Sequence, residues 1–269
     1  MKTDKKYTYV TLLSTDTYLM GVLLLAKSLR EADAHYPLLV VCSNTVSDKT
    51  KRMLKRYRLE YVALDEAIKV DTTKYNAAPG YDHWNNTLDK LYVFSLTDYD
   101  KVIFLDSDMM VVRNIDHLFD MPHMSAVVAD VFNEPDLRQL NSGMIVIEPN
   151  KRDFEGMVNL WTSGGIKLPN AGDQDVIRAW FKDWENHPEL RLPQGYNVFY
   201  SDCRTLVKPE QVEPVYVIHY IGSRKPWQIS VKAMWRRSRN NFLGKLLLRY
   251  AKNLYMLRIN NFYYEHCDK

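Results

Sequence analysis

The sequence predicts an α/β protein in which helices cover both faces of a mostly parallel central sheet. Short, uniformly apolar runs are typical of strands buried on both sides, and they alternate along the chain with segments whose apolar residues recur at helical spacing. The composition, 46% hydrophobic and 26% charged over 269 residues, is that of an ordinary globular chain. We place the α/β domain at residues 1–230 and a basic, aromatic helical segment at residues 231–269.

The first part of the chain begins with alternating strands and helices. The β-branched and aromatic run Tyr7–Leu13 predicts a strand, and residues 18–29 then place apolar side chains at helical spacing. Leu38–Cys42 predicts a second buried strand. Ser47 or Asp48 can cap the helix that follows, because both side chains accept hydrogen bonds from free backbone amides.

The same alternation continues to about residue 218, which completes the predicted sheet. Further strands are predicted at residues 61–64, 102–105, 127–129, 144–147 and 215–218. Further helices are predicted at residues 88–96, 153–162 and 173–183. Ligands of such sheets bind beyond the carboxyl ends of the strands, so we look for chemistry in the polar residues that follow apolar runs.

Several protein classes are excluded by what the sequence lacks. Its three cysteines are widely spaced, so we expect neither a disulfide framework nor a zinc ribbon, and we expect a reducing, cytoplasmic setting. The longest apolar stretch, residues 18–26, is about half of the roughly 20 residues that a membrane-spanning helix needs, and no secretion signal is expected. The glycine-rich phosphate loops and the G-x-S-x-G hydrolase motif are absent.

The charge is divided unevenly along the chain. Residues 231–269 contain nine Lys or Arg against two acids, a net +7, whereas the first 230 residues contain 27 basic and 31 acidic residues, a net −4. Within residues 242–258 the apolar and basic side chains fall on opposite helical faces. This pattern suits a helix lying on an anionic membrane surface, and it equally suits a terminal helix packed on the domain. Nucleic-acid binding is not expected, because the domain offers no basic groove.

Asp106 and Asp108 follow a buried strand and are the first candidate site. Side chains at i and i+2 of a strand point the same way, so two carboxylates there can hold a divalent cation that clamps a diphosphate. The alternative is a solvated loop, since Asp also favours turns. His219 follows another apolar run and can add an imidazole ligand, which suits Mn²⁺ better than Mg²⁺.

Two further polar clusters can contact a sugar. Asn141, Ser142 and Gly143 precede a predicted strand and offer short hydrogen-bonding groups, although the same triplet makes an ordinary turn. Asp173 and Gln174 stand at a predicted helix start, where Asp173 either caps the helix or contacts a reacting sugar.

Taken in order, these motifs resemble those of the family 8 glycosyltransferases, the retaining, nucleotide-sugar-dependent group that includes glycogenin and bacterial lipooligosaccharide galactosyltransferases. The resemblance covers residues 7–228 and is carried by seven motifs: residues 10–18 with Gly21, Leu88–Leu91, residues 104–108, Asn114–Asp116 with Leu118 and Phe119, Asn141–Gly143, Gly172–Gln174, and residues 219–222 with 225–227. It implies a GT-A fold. One departure lies around Tyr81, where a basic residue used by glycogenin is replaced.

The resemblance also implies roles for individual residues. A pocket for uracil and ribose is implied for Leu12, Ser14, Thr15 and Tyr18, with Ser107 near the ribose. Mn²⁺, or alternatively Mg²⁺, is implied at Asp106, Asp108 and His219, with Gly222 and Lys225 completing the phosphate site. The transferred sugar is implied to lie among Lys90, Asp130, Asn141, Ser142, Asn170, Asp173 and Gln174, of which Asp173 and Gln174 are the catalytic candidates.

The implied function is metal-dependent transfer of galactose or glucose, with retention, from a UDP-sugar to a glycan or a lipid-linked acceptor, as in lipopolysaccharide or glycan biosynthesis. The basic segment 231–269 would then dock a cytoplasmic enzyme peripherally on the inner face of an anionic membrane. The alternatives are a non-catalytic UDP-sugar-binding or membrane-associated scaffold of the same fold, and a nucleotidyltransferase that uses the same acids.

Overall fold

The structure is a computed structural model. It describes residues 5–68, 82–129, 138–166, 171–199, 214–222, 225–228 and 252–253. The strands are β1 Tyr7–Leu13, β2 Leu38–Cys42, β3 Glu60–Ala63, β4 Lys101–Leu105, β5 Met109–Val111, β6 Ala126–Val128, β7 Leu140–Ile147, β8 Arg191–Leu192, β9 Val198–Phe199 and β10 Val217–His219. The α-helices are α1 Leu19–Glu31, α2 Asp48–Arg56, α3 Lys151–Thr162 and α4 Asp173–Trp180. Short 3₁₀ segments join them, the longest being Asp82–Ser95.

The main sheet has seven strands in the order β3-β2-β1-β4-β7-β6-β8. Its first four strands are parallel, and β7 runs antiparallel to both neighbours, which confirms the predicted mostly parallel sheet. Because β7 runs in the opposite direction, it begins at the edge where β1 and β4 end. The start of β7 therefore lies beside the residues that follow β4, and Leu105 pairs with Met144.

A second sheet of three strands, β5-β10-β9, brings the end of the domain back to this edge. β10 pairs antiparallel with β5, with His219 opposite Met109, and parallel with β9. The acidic turn is the segment between β4 and β5 that contains Asp106 and Asp108. The pairing of β10 with β5 places His219 next to Met109, which directly follows this turn. The sequence predicted β10, at residues 215–218, but neither β5 nor β9, which are runs of three and two residues.

The core lies on both faces of the main sheet, as the uniformly apolar strands predict. Along β1, Tyr9 and Leu13 join the buried cluster that includes α1, whereas Val10 and Leu12 join the cluster that includes α3 and α4. Fully burying a side chain of this size stabilises the fold by roughly 1.5–3 kcal/mol. The two covered faces hold the strand ends, and hence the polar residues beyond them, in fixed positions.

Several sequence-based predictions need correction at the level of single elements. The predicted helix at 88–96 is part of the 3₁₀ segment Asp82–Ser95. The triplet Asn141–Gly143, expected to precede a strand at 144–147, lies inside β7, which starts at Leu140, so the turn that was its alternative does not form. The helix predicted over 173–183 ends at Trp180. Ser47 is confirmed as a cap, since its side chain accepts a hydrogen bond from the Thr50 amide at 3.3 Å.

The basic segment lies almost entirely outside the described residues, and so does the proposed division at residue 230. Of the segment, Lys252 and Asn253 are described, and the Asn253 amide donates to the Glu31 carboxylate at 3.0 Å. Asn253 is buried. This contact joins the segment to the end of α1 at one point. Across the described residues, every helix falls short of the length and apolar character that crossing a bilayer requires.

Candidate active site

The site begins at the tight turn that follows β4. The Asp106 amide donates to the Gly143 carbonyl at 2.8 Å, and the Met109 amide donates back to the Asp106 carbonyl at 3.1 Å. The two carboxylates of Asp106 and Asp108 therefore converge because the backbone turns between them. This corrects the prediction, which placed them on one side of an extended strand.

His219 completes a group of three potential metal ligands with Asp106 and Asp108. Its Nε2 lies 3.1 Å from Asp108 Oδ1 and 3.7 Å from Asp106 Oδ2. One ligand atom from each residue lies within 4.8 Å of the others, a spacing that a single cation can bridge. Two carboxylate oxygens and an imidazole nitrogen form a donor set that accepts Mn²⁺ readily. The residues present thus fit a divalent cation.

Lys225 closes the site on the side of Asp108. Its Nζ lies 2.6 Å from Asp108 Oδ2 and 3.2 Å from the Tyr220 carbonyl oxygen. Burial alone would raise the pKa of Asp108, but the charges and hydrogen bonds of His219 and Lys225 outweigh burial and hold it well below its usual value. Asp108 is therefore an anion at neutral pH, with Lys225 against one carboxylate oxygen and His219 against the other.

A second cationic residue, Lys90, lies on the other side of the turn. Its Nζ contacts Asp173 Oδ2 at 2.6 Å and Asp106 Oδ1 at 3.1 Å, and it lies 3.3 Å from Ser142 Oγ. Burial alone would lower the pKa of Lys90, but the two carboxylates overcome burial and raise it. For Asp106, burial is the largest influence and raises its pKa despite Lys90 and His219.

Asp173 and Gln174 are held by Ser142 at the start of β7. Ser142 Oγ donates to Asp173 Oδ2 at 2.9 Å, and the Ser142 amide donates to Gln174 Oε1 at 2.9 Å. The start of helix α4 is capped by Asp175 instead of Asp173, because the Asp175 carboxylate accepts a hydrogen bond from the Gly172 amide at 2.9 Å. Of the two alternatives predicted for Asp173, the helix cap is therefore wrong, and its carboxylate faces Ser142 and Lys90. Because a backbone N–H can only donate, the Gln174 oxygen faces Ser142 and its NH₂ group is turned away.

The residues proposed for the nucleotide lie at the end of β1 and beyond it. Leu12 is buried, and the Thr15 and Thr17 hydroxyls are 2.7 Å apart. The Tyr18 ring contacts the Trp227 ring edge-on at 5.7 Å, and Lys225 Nζ lies 6.0 Å from the Tyr18 ring centre. Tyr18, predicted to contact the nucleotide, thus lies beside Lys225, which is predicted to contact the phosphates.

Gly21 allows helix α1 to approach the acidic turn. A Cβ atom at this position would overlap the Ser107 carbonyl oxygen and lie 2.7 Å from the Trp227 ring. Trp227 is itself anchored, since its indole N–H donates to the Thr17 carbonyl at 3.2 Å. The absence of a side chain at Gly21 therefore lets three parts of the site meet.

One residue of the site, Asn197, was not predicted from the sequence. It is buried just before β9, where its amide bridges the side chains of Asn141 and His219. No local pattern marks it, because its partners are 56 and 22 residues away in sequence.

The remaining predicted residues are Gly222, Ser14, Asp130 and Asn170. Gly222 is exposed with a φ of +99°, a left-handed conformation that favours glycine. Asp130 and Asn170 lie outside the described residues, as does Tyr81. Ser14 is described and half-buried, and its carbonyl accepts from the Thr45 hydroxyl at 2.8 Å.

Comparison with known proteins gives consistent results. Residues 9–230 match the model of glycosyl transferase family 8. Glycogenin-1 of Caenorhabditis elegans is 32% identical over 224 residues, covering 81% of this chain and 50% of the relative. UDP-glucuronate:xylan alpha-glucuronosyltransferase 2 of Arabidopsis thaliana is 32% identical over 84% of this chain and 36% of the relative. The chain thus spans half or less of the length of these two relatives.

Solved structures share the fold at lower identity. The galactosyltransferase LgtC, solved in complex with donor and acceptor sugar analogs, superposes with a TM-score of 0.61 at 16% identity, covering 91% of this chain and 95% of LgtC. GlyE of Streptococcus pneumoniae superposes with a TM-score of 0.60 over 96% of this chain and 64% of GlyE. The fold is therefore of the GT-A type. The family match over most of the chain, together with the fold, shows that this protein is a member of glycosyl transferase family 8.

Proposed function

We propose that the protein transfers a hexose, galactose or glucose, from a UDP-sugar to a glycan or lipid-linked acceptor with retention of configuration. The observation that carries this proposal is the group Asp106, Asp108 and His219, whose ligand atoms lie within 4.8 Å of one another beside Lys225. Such a group fits a divalent cation, with Mn²⁺ preferred over Mg²⁺ because of the imidazole. When bound, the cation would neutralise the diphosphate of the donor.

Lys225 would bind the departing UDP. In the structure its ammonium group pairs with Asp108 at 2.6 Å. A ligand that engages Asp108 releases this ammonium group to a phosphate oxygen, where it stabilises the negative charge that grows as UDP leaves. Leu12, Ser14, Thr15 and Tyr18 would hold the nucleoside, a role supported by their position at the end of β1.

The sugar would lie over the network of Lys90, Ser142, Asp173 and Gln174. Because the Gln174 oxygen already accepts from the Ser142 amide, its NH₂ group is the part left to face a ligand. An amide N–H is a donor and no nucleophile, which argues against a covalent sugar–Gln174 intermediate. We therefore favour attack from the side of the leaving group.

In this mechanism the bond from the anomeric carbon to the phosphate oxygen breaks, and the acceptor oxygen bonds to the same face of that carbon. The acceptor proton passes to an oxygen of the departing diphosphate. Asp173 and Gln174 orient the sugar and stabilise its positive charge, while Lys90 keeps Asp173 in place through the 2.6 Å ion pair.

A neutral hexose suits this network better than a uronic acid. The charge of Lys90 is already shared between Asp106 and Asp173. A sugar carboxylate placed there would add an uncompensated negative charge in a buried environment. UDP-glucuronate, the donor in the names of the Arabidopsis relatives, is accordingly the second candidate.

The acceptor is proposed from the composition of residues 231–269, whose net charge of +7 suits an anionic membrane that carries a lipid-linked acceptor. The measurement is binding to vesicles that contain anionic lipid, with the full chain and with a truncation after Ser230. We expect the truncation to lose vesicle binding and to keep donor hydrolysis. Unchanged vesicle binding would contradict the docking proposal alone.

The transferase proposal is tested with a panel of UDP-sugars and Mn²⁺. UDP release is compared between the wild type, Asp108→Asn and the exposed control Asp48→Asn. We expect release with UDP-galactose or UDP-glucose, a loss of at least 100-fold in Asp108→Asn, and little change in the control. Tight UDP binding without release from any donor would favour the non-catalytic alternative, and pyrophosphate release would favour a nucleotidyltransferase. The anomeric configuration of the product, measured by NMR, tests retention.

A further inference from the structure

Two asparagine side chains link the start of β7 to His219. Asn141 Oδ1 accepts hydrogen bonds from the Gly143 amide and from Asn197 Nδ2, both at 2.8 Å. Asn197 Oδ1 lies 3.0 Å from His219 Nδ1. Asn197 and His219 are both buried, so each of these polar atoms depends on its protein partner.

The direction of this chain of hydrogen bonds follows from its first member. A backbone N–H can only donate, so the atom of Asn141 that faces Gly143 is the oxygen. An oxygen cannot donate, so Asn197 must present its NH₂ group to Asn141 and its oxygen to the histidine. His219 Nδ1 must therefore carry a hydrogen, so Nε2 is the ring nitrogen that can offer a lone pair to a cation held by Asp106 and Asp108.

We propose that Asn141 and Asn197 are positioning residues that hold His219 in the Nδ1–H tautomer, so that Nε2 is available to a divalent cation. This inference rests on the proposed metal site, and it assigns to Asn141 a role beyond contact with the sugar. In the opposite tautomer Nε2 would carry the hydrogen, so it could not bind a cation. Two lone pairs would then face each other between Nδ1 and Asn197 Oδ1.

The surroundings of His219 also restrict where its ring can lie. A Cβ atom at Gly143 would lie 2.8 Å from His219 Cε1, so glycine makes room for the ring. On another side the Phe199 ring meets the imidazole edge-on at 5.6 Å. The ring has little freedom to flip, and the tautomer then decides which nitrogen can bind a cation.

The test measures Mn²⁺ affinity directly, by electron paramagnetic resonance of the free ion, in the absence of donor. Asn197→Leu removes the acceptor for Nδ1–H, and we expect Mn²⁺ to bind about 10–100-fold more weakly. Asn141→Asp is the matched variant: its carboxylate can still accept from both Gly143 and Asn197, so we expect affinity within about threefold of the wild type. An Asn197→Leu protein that is folded and binds Mn²⁺ like the wild type would overturn the proposal.

A second measurement does not depend on any variant. In ¹⁵N-labelled wild-type protein loaded with diamagnetic Cd²⁺, imidazole ¹⁵N shifts should show a protonated Nδ1 and a metal-bound Nε2 for His219. A metal-bound Nδ1 or a protonated Nε2 would refute the assignment. Failure of the metal site itself is distinguishable, because Mn²⁺ binding would then be unaffected by Asp108→Asn.

Discussion

Replacing Lys90 with methionine should be among the most destabilising single changes in this protein, because Lys90 is the buried cation between two carboxylates. Its Nζ lies 2.6 Å from Asp173 and 3.1 Å from Asp106. At an effective dielectric constant of about 20, the closer contact is worth about 6 kcal/mol of attraction, which the cost of burying both charges largely offsets. Removing one partner leaves the other buried and unpaired, at a cost of about 3–5 kcal/mol.

We count Asp173 as the main source of this loss, because its side chain is 8% exposed, whereas that of Asp106 is 27% exposed and better screened by water. A loss of 3–5 kcal/mol in a domain of this size corresponds to a fall in Tm of about 6–20 °C. The measurements are calorimetry and urea unfolding. Adding Asp173→Asn to Lys90→Met should recover part of the loss, since it removes the orphaned charge.

The matched control is Lys27→Met, which breaks a partly exposed pair with Glu31 at 3.1 Å. Such a surface pair contributes roughly 0–1 kcal/mol. If Lys90→Met cost no more than Lys27→Met, or if Asp173→Asn brought no recovery, the argument that Lys90 compensates buried carboxylates would be wrong.

Three further predictions follow from individual contacts. Gly21→Ala should cost about 1–3 kcal/mol and weaken UDP binding, as measured by calorimetry, because its Cβ would overlap the Ser107 carbonyl and press on Trp227. Burial raises the pKa of the Cys42 thiol to about 12, so native Cys42 should resist iodoacetamide at pH 8 and react after unfolding; mass spectrometry of labelling that shows rapid native reaction would contradict its burial. The depressed pKa of Asp108 contributes stability that is fully present above its unfolded value, near 3.9, and is lost as pH falls through the folded value. Urea unfolding between pH 5 and 2 should therefore show a steeper loss in wild type than in Asp108→Asn, and parallel curves would count against this ion pairing.

Much of the fold could be predicted because most of its elements follow local patterns of apolar residues. β1, β2 and β4 are short runs of uniformly apolar residues, and α1 shows a regular helical repeat, so each appears within one or two residues of its predicted position. β8 and β9 have two residues each, too few to show a pattern, and β5 is a three-residue run that directly follows the turn at Asp106–Asp108.

The candidate site divides in the same way between local and distant causes. Asp106, Asp108 and His219 were identified because each follows an apolar run, and the structure brings them together. The alternatives for Asp173 could not be separated from the sequence, since a cap and a site carboxylate look alike at a helix start. Its partners Lys90 and Ser142 decided the matter, and they come from other elements of the fold.

By itself, the sequence determined the α/β class, the motif order of the family and the residue types available for a metal and a diphosphate. These depend on composition and on neighbours a few positions apart. Tertiary structure alone decided the directions of the contacts: which end of the Gln174 amide is occupied, which ring nitrogen of His219 faces Asn197, and which lysine neutralises which acid. Those contacts join residues that are 22 to 117 positions apart in the chain. A local sequence pattern does not determine which distant hydrogen-bond donor will meet which acceptor.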